Sequence, residues 1–265
     1  MSLEPAELDE LLRAAEAAAL AGGRVVAEGY GGARQTREKA PGDWVSEVDF
    51  ASETTIRGAL ERSAPGLPFF GEETGGDRGP VGWFVDPLDG TANFLRRFPA
   101  VGVSVALVED GRPVVGVVHA PLLGETYVAR RGGGAFRDGE ALRISPRPPV
   151  QAICATGFPF RAKAERLDSY LPVFEAALRE FEDLRRAGSA SLDLAWTASG
   201  TFDGYFEQKL GTWDVAAGAL LVREAGGVVT DWEGDEGAWL MSGDIVAAAP
   251  ALHERLLALT KGAQP

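Results

Sequence analysis

The chain changes texture at a proline-rich joint, Ser145-Pro146-Arg147-Pro148-Pro149, and that change constrains the fold more than any other feature. Before the joint, residues 83–85, 101–108, 114–119, 125–130 and 135–137 are short β-rich runs. Turn residues such as Asp110-Gly111-Arg112-Pro113 and Asp138-Gly139 separate them. Consecutive strands joined by tight turns pair antiparallel, as a meander. After the joint, strands at 150–155, near 181–184, 202–207, 228–230 and 244–249 are interspersed with helices at 163–180, 189–199, 213–225 and 251–260. That alternation predicts a largely parallel sheet with helices on its faces. The expected organisation is an α+β unit over residues 1–144, with an antiparallel sheet, followed by an α/β unit over 145–265.

Two helices precede the meander. Pro5 suits a first helical position, Leu8, Leu11, Leu12, Ala15 and Ala19 recur on one face, and Gly29, Gly31 and Gly32 close the helix. Residues 34–41 read as a polar, irregular stretch. A second helix is expected at 46–62, then turn residues 63–68 and an apolar run, 67–70, ending at Gly71-Glu72-Glu73. The triple glycine 132–134 reads as a turn or bulge rather than a phosphate loop, because no Gly-Lys-Ser/Thr follows it.

Lys and Arg total 26 against 39 Asp and Glu, a formal charge of −13. That balance argues against bulk binding to nucleic acid or to an anionic membrane. No apolar run approaches the roughly 18 residues of a membrane span, and the acidic N-terminus lacks a signal-peptide pattern. Cys154 is the only cysteine, so no disulfide forms within the chain, and the reducing cytoplasm is the expected compartment.

The chemistry concentrates in residues 83–94, where a buried strand ends on Asp86, Pro87 bends the chain and Asp89 follows one residue later. Two carboxylates this close repel, and ionising both in a partly buried site is costly without a cation. Mg²⁺ prefers carboxylate, carbonyl and water oxygens, and the Leu88 carbonyl between the acids could add one. Gly90-Thr91 then opens a short helix whose free N–H groups can hold a phosphate. On spacing alone, an ordinary Asp-Pro-x-Asp-Gly turn explains the segment equally well. Glu72-Glu73 reads either as a site acid at a strand end or as a solvated pair. Asp214, in a first helical turn, serves a helix dipole as readily as a metal. His119 and His253 lack partner motifs and read as structural, and Cys154 reads as a buried inert thiol.

Residues 83–94 and 213–227 together resemble the paired signatures of the inositol monophosphatase family, in the family's order and at a similar separation. Gly71-Glu72-Glu73 precedes the first, also as in the family, and the resemblance runs over nearly the whole chain. It implies a layered α/β/α/β/α sandwich of the inositol monophosphatase / fructose-1,6-bisphosphatase type, and hydrolysis of a phosphate monoester with two to three Mg²⁺ ions. Glu72, Asp86 and the Leu88 carbonyl would hold the first ion, Asp86, Asp89 and Asp214 the second, and Glu72 with water a third. Thr91 and Asp49 would orient and deprotonate the attacking water. The segment from Lys39 to Asp49 resembles the family's lysine stretch, one residue shorter after the lysine, and Lys39 would help balance the phosphate.

Asp89, Gly90, Thr91, Gly188, Ser189, Ala190 and Glu207 would bind substrate, with Glu207 taking polyol hydroxyls. Thr156-Gly157-Phe158-Pro159-Phe160 resembles the bacterial branch. The resemblance further implies a lithium-sensitive, cytoplasmic homodimer acting on a small phosphorylated polyol, inositol 1-phosphate first. Fructose 1,6-bisphosphate, histidinol phosphate or a 3′-phosphorylated nucleotide are alternative substrates on the same chemistry. A regulatory, RNA-associated protein that keeps the fold is the alternative from another class, and the acidic charge counts against nucleic acid as the main partner.

Overall fold

A computed structural model describes residues 3–32, 35–40, 43–159 and 163–262. Residue 34 of the stretch read as irregular, residues 41 and 42 of the lysine segment, and Phe160 lie outside the described residues. The first half comprises α1 (Pro5–Gly29), β1 (Thr36–Ala40), β2 (Asp43–Ser46), α2 (Glu47–Ser63), β3 (Phe69–Gly71), β4 (Gly75–Gly76), β5 (Val81–Asp89) and α3 (Thr91–Arg96). The meander follows as β6 (Gly102–Glu109), β7 (Arg112–Ala120), β8 (Glu125–Arg130), β9 (Gly134–Arg137) and β10 (Glu140–Ala141). A 3₁₀ turn at Pro149–Gln151 leads into β11 (Ile153–Thr156), α4 (Lys163–Glu180), β12 (Asp183–Arg185) and α5 (Ala190–Ala198). The chain ends with β13 (Gly204–Glu207), α6 (Thr212–Glu224), β14 (Val228–Thr230), α7 (Trp239–Ser242), β15 (Ile245–Ala248) and α8 (Pro250–Gly262).

The expected meander forms. β5 to β10 pair antiparallel in sequence, inside an eight-stranded sheet of order β10-β9-β8-β7-β6-β5-β3-β4. β3 alone joins it in parallel, lying beside β5. Within the stretch read as irregular, residues 36–40 form strand β1, hairpinned onto β2.

The second sheet corrects the sequence reading: it is mixed, not largely parallel. In the order β12-β11-β13-β15-β14, β11 runs parallel to β12 and β13, whereas β15 is antiparallel to both of its neighbours. The cause is the connection over residues 231–244, which contains turns and only the four-residue α7. A parallel return needs a long crossover, usually a full helix. α6 provides one between β13 and β14, and β15 then inserts between them.

Side chains alternate across each strand and sort the molecule into five layers. Trp83, Val85, Val103, Val105 and Leu107 face α1 and α2. Phe84, Ala106 and Val118 face the opposite way, onto α5 and α6, which also cover Ala155, Tyr205, Ile245 and Ala247 of the second sheet. Cys154, Phe206, Val246 and Ala248 point outward under α4 and α8. One continuous inner core therefore spans the proline-rich joint. α6 lies close on the first sheet because Gly116 offers no side chain: a Cβ there would stand 2.8 Å from the Ala217 carbonyl oxygen.

Candidate active site

The carboxylates meet where β3 and β5 end and α2, α5 and α6 begin. β5 finishes in a bulge, its register with β6 shifting between Asp86 and Asp89. Pro87 has no N–H for the ladder, so pairing breaks there and both acids line one cleft. The Leu88 N–H donates to Asp86 Oδ1 at 3.0 Å, while the Leu88 carbonyl accepts from Thr91 Oγ1 at 3.2 Å. Gly90 makes the turn with φ of 91°, a conformation open to glycine, and α3 starts on the next residue.

Parallel pairing of β3 with β5 sets Gly71 opposite Val85, and the Glu72 N–H donates to the Val85 carbonyl at 3.0 Å. Glu72 therefore stands beside Asp86. Lys39 Nζ reaches it from β1, at 2.9 Å from Glu72 Oε1 and 2.8 Å from Glu73 Oε1. Burial opposes the Lys39 charge, but the two carboxylates outweigh it and hold the ammonium well above the usual lysine range. The structure thus places Lys39 on the glutamate pair. Burial also pushes the Glu73 carboxyl up to about 7, against the pull of Lys39.

At the start of α2, Ser46 and Asp49 form a reciprocal cap. Asp49 Oδ2 accepts from the Ser46 N–H at 2.8 Å and the Ser46 hydroxyl at 2.6 Å, leaving Oδ1 to accept from Thr91 Oγ1 at 2.9 Å. Asp49 is fully buried. That burial raises its pKa, the Ser46 and Thr91 hydrogen bonds lower it, and Glu72 adds a smaller upward push.

The other two acids are held from the second half. Asp89 Oδ2 accepts from Ser189 Oγ (2.8 Å), the Ser191 N–H (2.7 Å) and Ser191 Oγ (2.6 Å) at the start of α5. Asp214 Oδ2 caps α6 by accepting from the Gly211 N–H at 2.6 Å. Carboxylate oxygens of Asp86, Asp89 and Asp214 all lie within 4.8 Å of one another, a grouping that could hold a metal ion. Burial, then Glu72, Asp89 and Asp214, drives the Asp86 carboxyl well above its ordinary value. Burial raises Asp89 as well, against the serine hydrogen bonds. A cation removes the cause of both shifts, since it stabilises the charged form that burial and repulsion penalise. The donor set of carboxylates and a carbonyl suits a hard divalent ion.

Gly188, Ala190 and Glu207 line the same cleft, whereas Ser189 turns its hydroxyl onto Asp89. Asn93 Nδ2 ties α3 to the Gly188 turn by donating to the Ala187 carbonyl at 2.8 Å and the Gly188 carbonyl at 3.3 Å, and it also donates to the Ala100 carbonyl at 2.8 Å. Glu207 Oε2 accepts from the Tyr205 hydroxyl at 2.5 Å. Trp44, Arg186, Gln208 and Lys209 also line the cleft and were not singled out from the sequence. Neither was Glu53, which is buried on α2 and accepts from the Glu73 N–H (2.8 Å), the Thr74 N–H (3.1 Å) and the Thr74 hydroxyl, fixing the loop that carries Glu72. Its signal was an acid on the buried face of a helix. His119 and His253 bond within the core, through Thr126 Oγ1 at 3.0 Å and Thr230 Oγ1 at 2.9 Å. Cys154 is buried, and burial pushes its thiol up.

Five layers with an acidic cleft at the strand ends place the chain in the inositol monophosphatase / fructose-1,6-bisphosphatase fold class. The sequence profile of the inositol monophosphatase family matches residues 7–264, and the chain belongs to that family. It is 42% identical over 254 residues to a Salmonella typhimurium protein named Nus factor SuhB, covering 94% of each chain. It is 38% identical over 257 residues to an inositol-1-monophosphatase of Mesorhizobium japonicum, covering 95% of this chain and 96% of that one. The crystal structure of extragenic suppressor protein suhB from Bartonella henselae superposes with a TM-score of 0.89 at 36% identity, over 95% of this chain and 98% of that one.

Proposed function

We propose that the chain is a Mg²⁺-dependent phosphatase of small polyol phosphates, with inositol 1-phosphate the first substrate to test. The observation that carries this reading is the cluster of Asp86, Asp89 and Asp214 oxygens, beside Glu72, in a cleft that Thr91 also lines with its hydroxyl bonded to the buried Asp49. Asp86, Asp89, Asp214, Glu72 and the Leu88 carbonyl would hold two to three Mg²⁺ ions. When bound, these supply the positive charge that an anionic phosphate and its leaving oxygen require.

The chain's own residues then do three things. Thr91 donates its hydroxyl proton to Asp49, which leaves the Thr91 oxygen free to accept a proton from a water aimed at phosphorus. Asp49 has to be ionised to take the relayed proton, so kcat falls as the pH drops through its raised pKa. The N–H groups after Gly90 and the Gly188-Ser189-Ala190 turn orient the phosphate and the ring, and Glu207 accepts from ring hydroxyls. The bond from water oxygen to phosphorus forms as the phosphorus–alkoxide bond breaks, and the released alcohol takes its proton from solvent.

The testing experiment is phosphate release, with and without Mg²⁺, from inositol 1-phosphate, fructose 1,6-bisphosphate, histidinol phosphate and a 3′-phosphorylated nucleotide. Asp86→Asn, which deletes the most crowded charge, is expected to reduce turnover by at least about a hundredfold. Near wild-type turnover in this variant, or no Mg²⁺-dependent release from any substrate, would falsify the reading.

A second reading is a transcription- or RNA-associated role on the same fold. The relatives named Nus factor SuhB favour it, and the acidic charge alone is no sufficient argument against a nucleic-acid partner. An RNA-binding assay beside the substrate panel separates the two. Binding without phosphate release would favour the second.

A further inference from the structure

Glu207 lines the cleft, and two of its neighbours constrain where its carboxylate lies. The Tyr205 hydroxyl, two residues earlier on β13, donates to Glu207 Oε2 at 2.5 Å. Successive strand residues face opposite sides of a sheet, so Tyr205 and Glu207 share the inner face of β13, with the Tyr205 ring locked in the inner core. Gly157, just after β11, supplies the opposing wall. A Cβ at Gly157 would overlap the Glu207 carboxyl carbon and both of its oxygens. Gly157 does not have the left-handed backbone that would itself demand glycine, so its missing side chain serves space rather than conformation. Burial, and next the Glu207 charge, push the Tyr205 phenol far above its usual range, so it stays a donor.

We propose that Tyr205 is a positioning residue, and that it and Gly157 together clamp Glu207 in the orientation that reads the hydroxyls of the substrate. This rests on the reading of Glu207 as the polyol contact and adds to it where the selectivity resides. A carboxylate free to rotate accepts from water in many orientations. One held by a phenol on Oε2, against bare backbone, presents its remaining lone pairs in a single direction, so hydroxyl geometry is discriminated before binding. Tyr205 touches no substrate and acts only through Glu207.

The test is the ratio of kcat/KM for inositol 1-phosphate to kcat/KM for an aryl phosphate that lacks ring hydroxyls. Loss of a hydrogen bond to a charged group predicts a fall in this ratio of about tenfold or more in Tyr205→Phe, which keeps the ring in the core. Gly157→Ala, which displaces the same carboxylate from the other side, is expected to lower it similarly. Tyr205→Phe added to Glu207→Gln should lower the ratio no further, because the group it positions is already changed. If Glu207→Gln collapses the ratio while Tyr205→Phe and Gly157→Ala leave it at the wild-type value, the clamp is wrong and the polyol contact stands. Equal losses on both substrates in Tyr205→Phe, with a lowered Tm, would assign it a structural role and also overturn the clamp. An unchanged ratio in Glu207→Gln removes the polyol contact itself, and the clamp with it.

Discussion

Asp193 lies in α5 with 1% of its surface exposed, and its Oδ1 has no hydrogen-bond partner among the described residues. Burial, then the Glu207 and Asp89 charges, drive its carboxyl well above the ordinary range, with Arg186 pulling weakly the other way. The linkage has a definite sign. Below the ordinary carboxylate pKa the group is protonated in both states and costs nothing. As the pH rises from there toward the raised folded value, the unfolded chain releases a proton that the folded chain keeps, and stability falls. Asp193→Asn abolishes this dependence. The variant's Tm should move upward relative to wild type as the pH goes from about 4 to 7, at roughly 2–4 °C for each kcal/mol at this chain length. Asp86, Asp89 and Asp49 contribute the same sign to both proteins, so the difference isolates Asp193. A Tm difference that stays constant across that range would mean Asp193 is as ionised in the fold as in the unfolded chain.

Helix α2 organises the metal side of the cleft through one buried face that is polar where a helix is usually apolar. Asp49 receives Thr91, Ser52 Oγ donates to the Pro87 carbonyl at 2.9 Å, and Glu53 receives the Glu73–Thr74 loop. A single helix thus fixes the bulge of β5 and the loop after β3. Glu53→Ala strands the two N–H groups and a hydroxyl, a loss of about 2–4 kcal/mol, and frees the loop that carries Glu72. The Mg²⁺ concentration for half-maximal activity should rise accordingly, while Glu53→Gln, which keeps an acceptor, should recover most of both. A Glu53→Ala protein with lowered Tm but an unchanged Mg²⁺ requirement would confine Glu53 to stability.

The same helix shows what was legible beforehand. Asp49 was reached through the resemblance of its segment to the family's lysine stretch, whereas its reciprocal cap with Ser46 emerged only in the structure. Glu53 carried only the signal of an acid on a buried helix face, because its partners, the Glu73 and Thr74 N–H groups and the Thr74 hydroxyl, lie twenty and more residues away with no motif linking them to it. The β1–β2 hairpin was missed because the described part of β1 is exposed. A strand with no buried face carries no apolar alternation to detect. The direction of β15 was missed because it depends on the length and turns of the chain before it, not on the strand's own residues.

At the scale of the molecule, a charge of −13 and an inner core shared by both halves converge on one cleft. Asp49, Asp86 and Glu72 come from the first half, Asp214 and the serines holding Asp89 from the second, so bound cations would bridge them. Without a cation the folded protein raises the pKa of Asp86 and Asp89, which means that folding works against their ionisation at neutral pH. A divalent ion would need the ionised form, and the unfolded chain offers no such cluster, so its binding would be coupled to folding. Mg²⁺ should therefore raise the Tm, by the equivalent of about 2.7 kcal/mol at a hundredfold excess over its Kd. The increase should be larger at pH 7.5 than at pH 5, because protons compete for the carboxylates in the acid direction. Asp214→Asn, which keeps most of the cap on α6 but removes one of the three clustered charges, should lose most of that increase. Denaturation scans with and without Mg²⁺ at the two pH values decide it. A rise of equal size in wild type and Asp214→Asn, insensitive to pH, would mean that Mg²⁺ is screening the overall negative charge rather than filling the cleft.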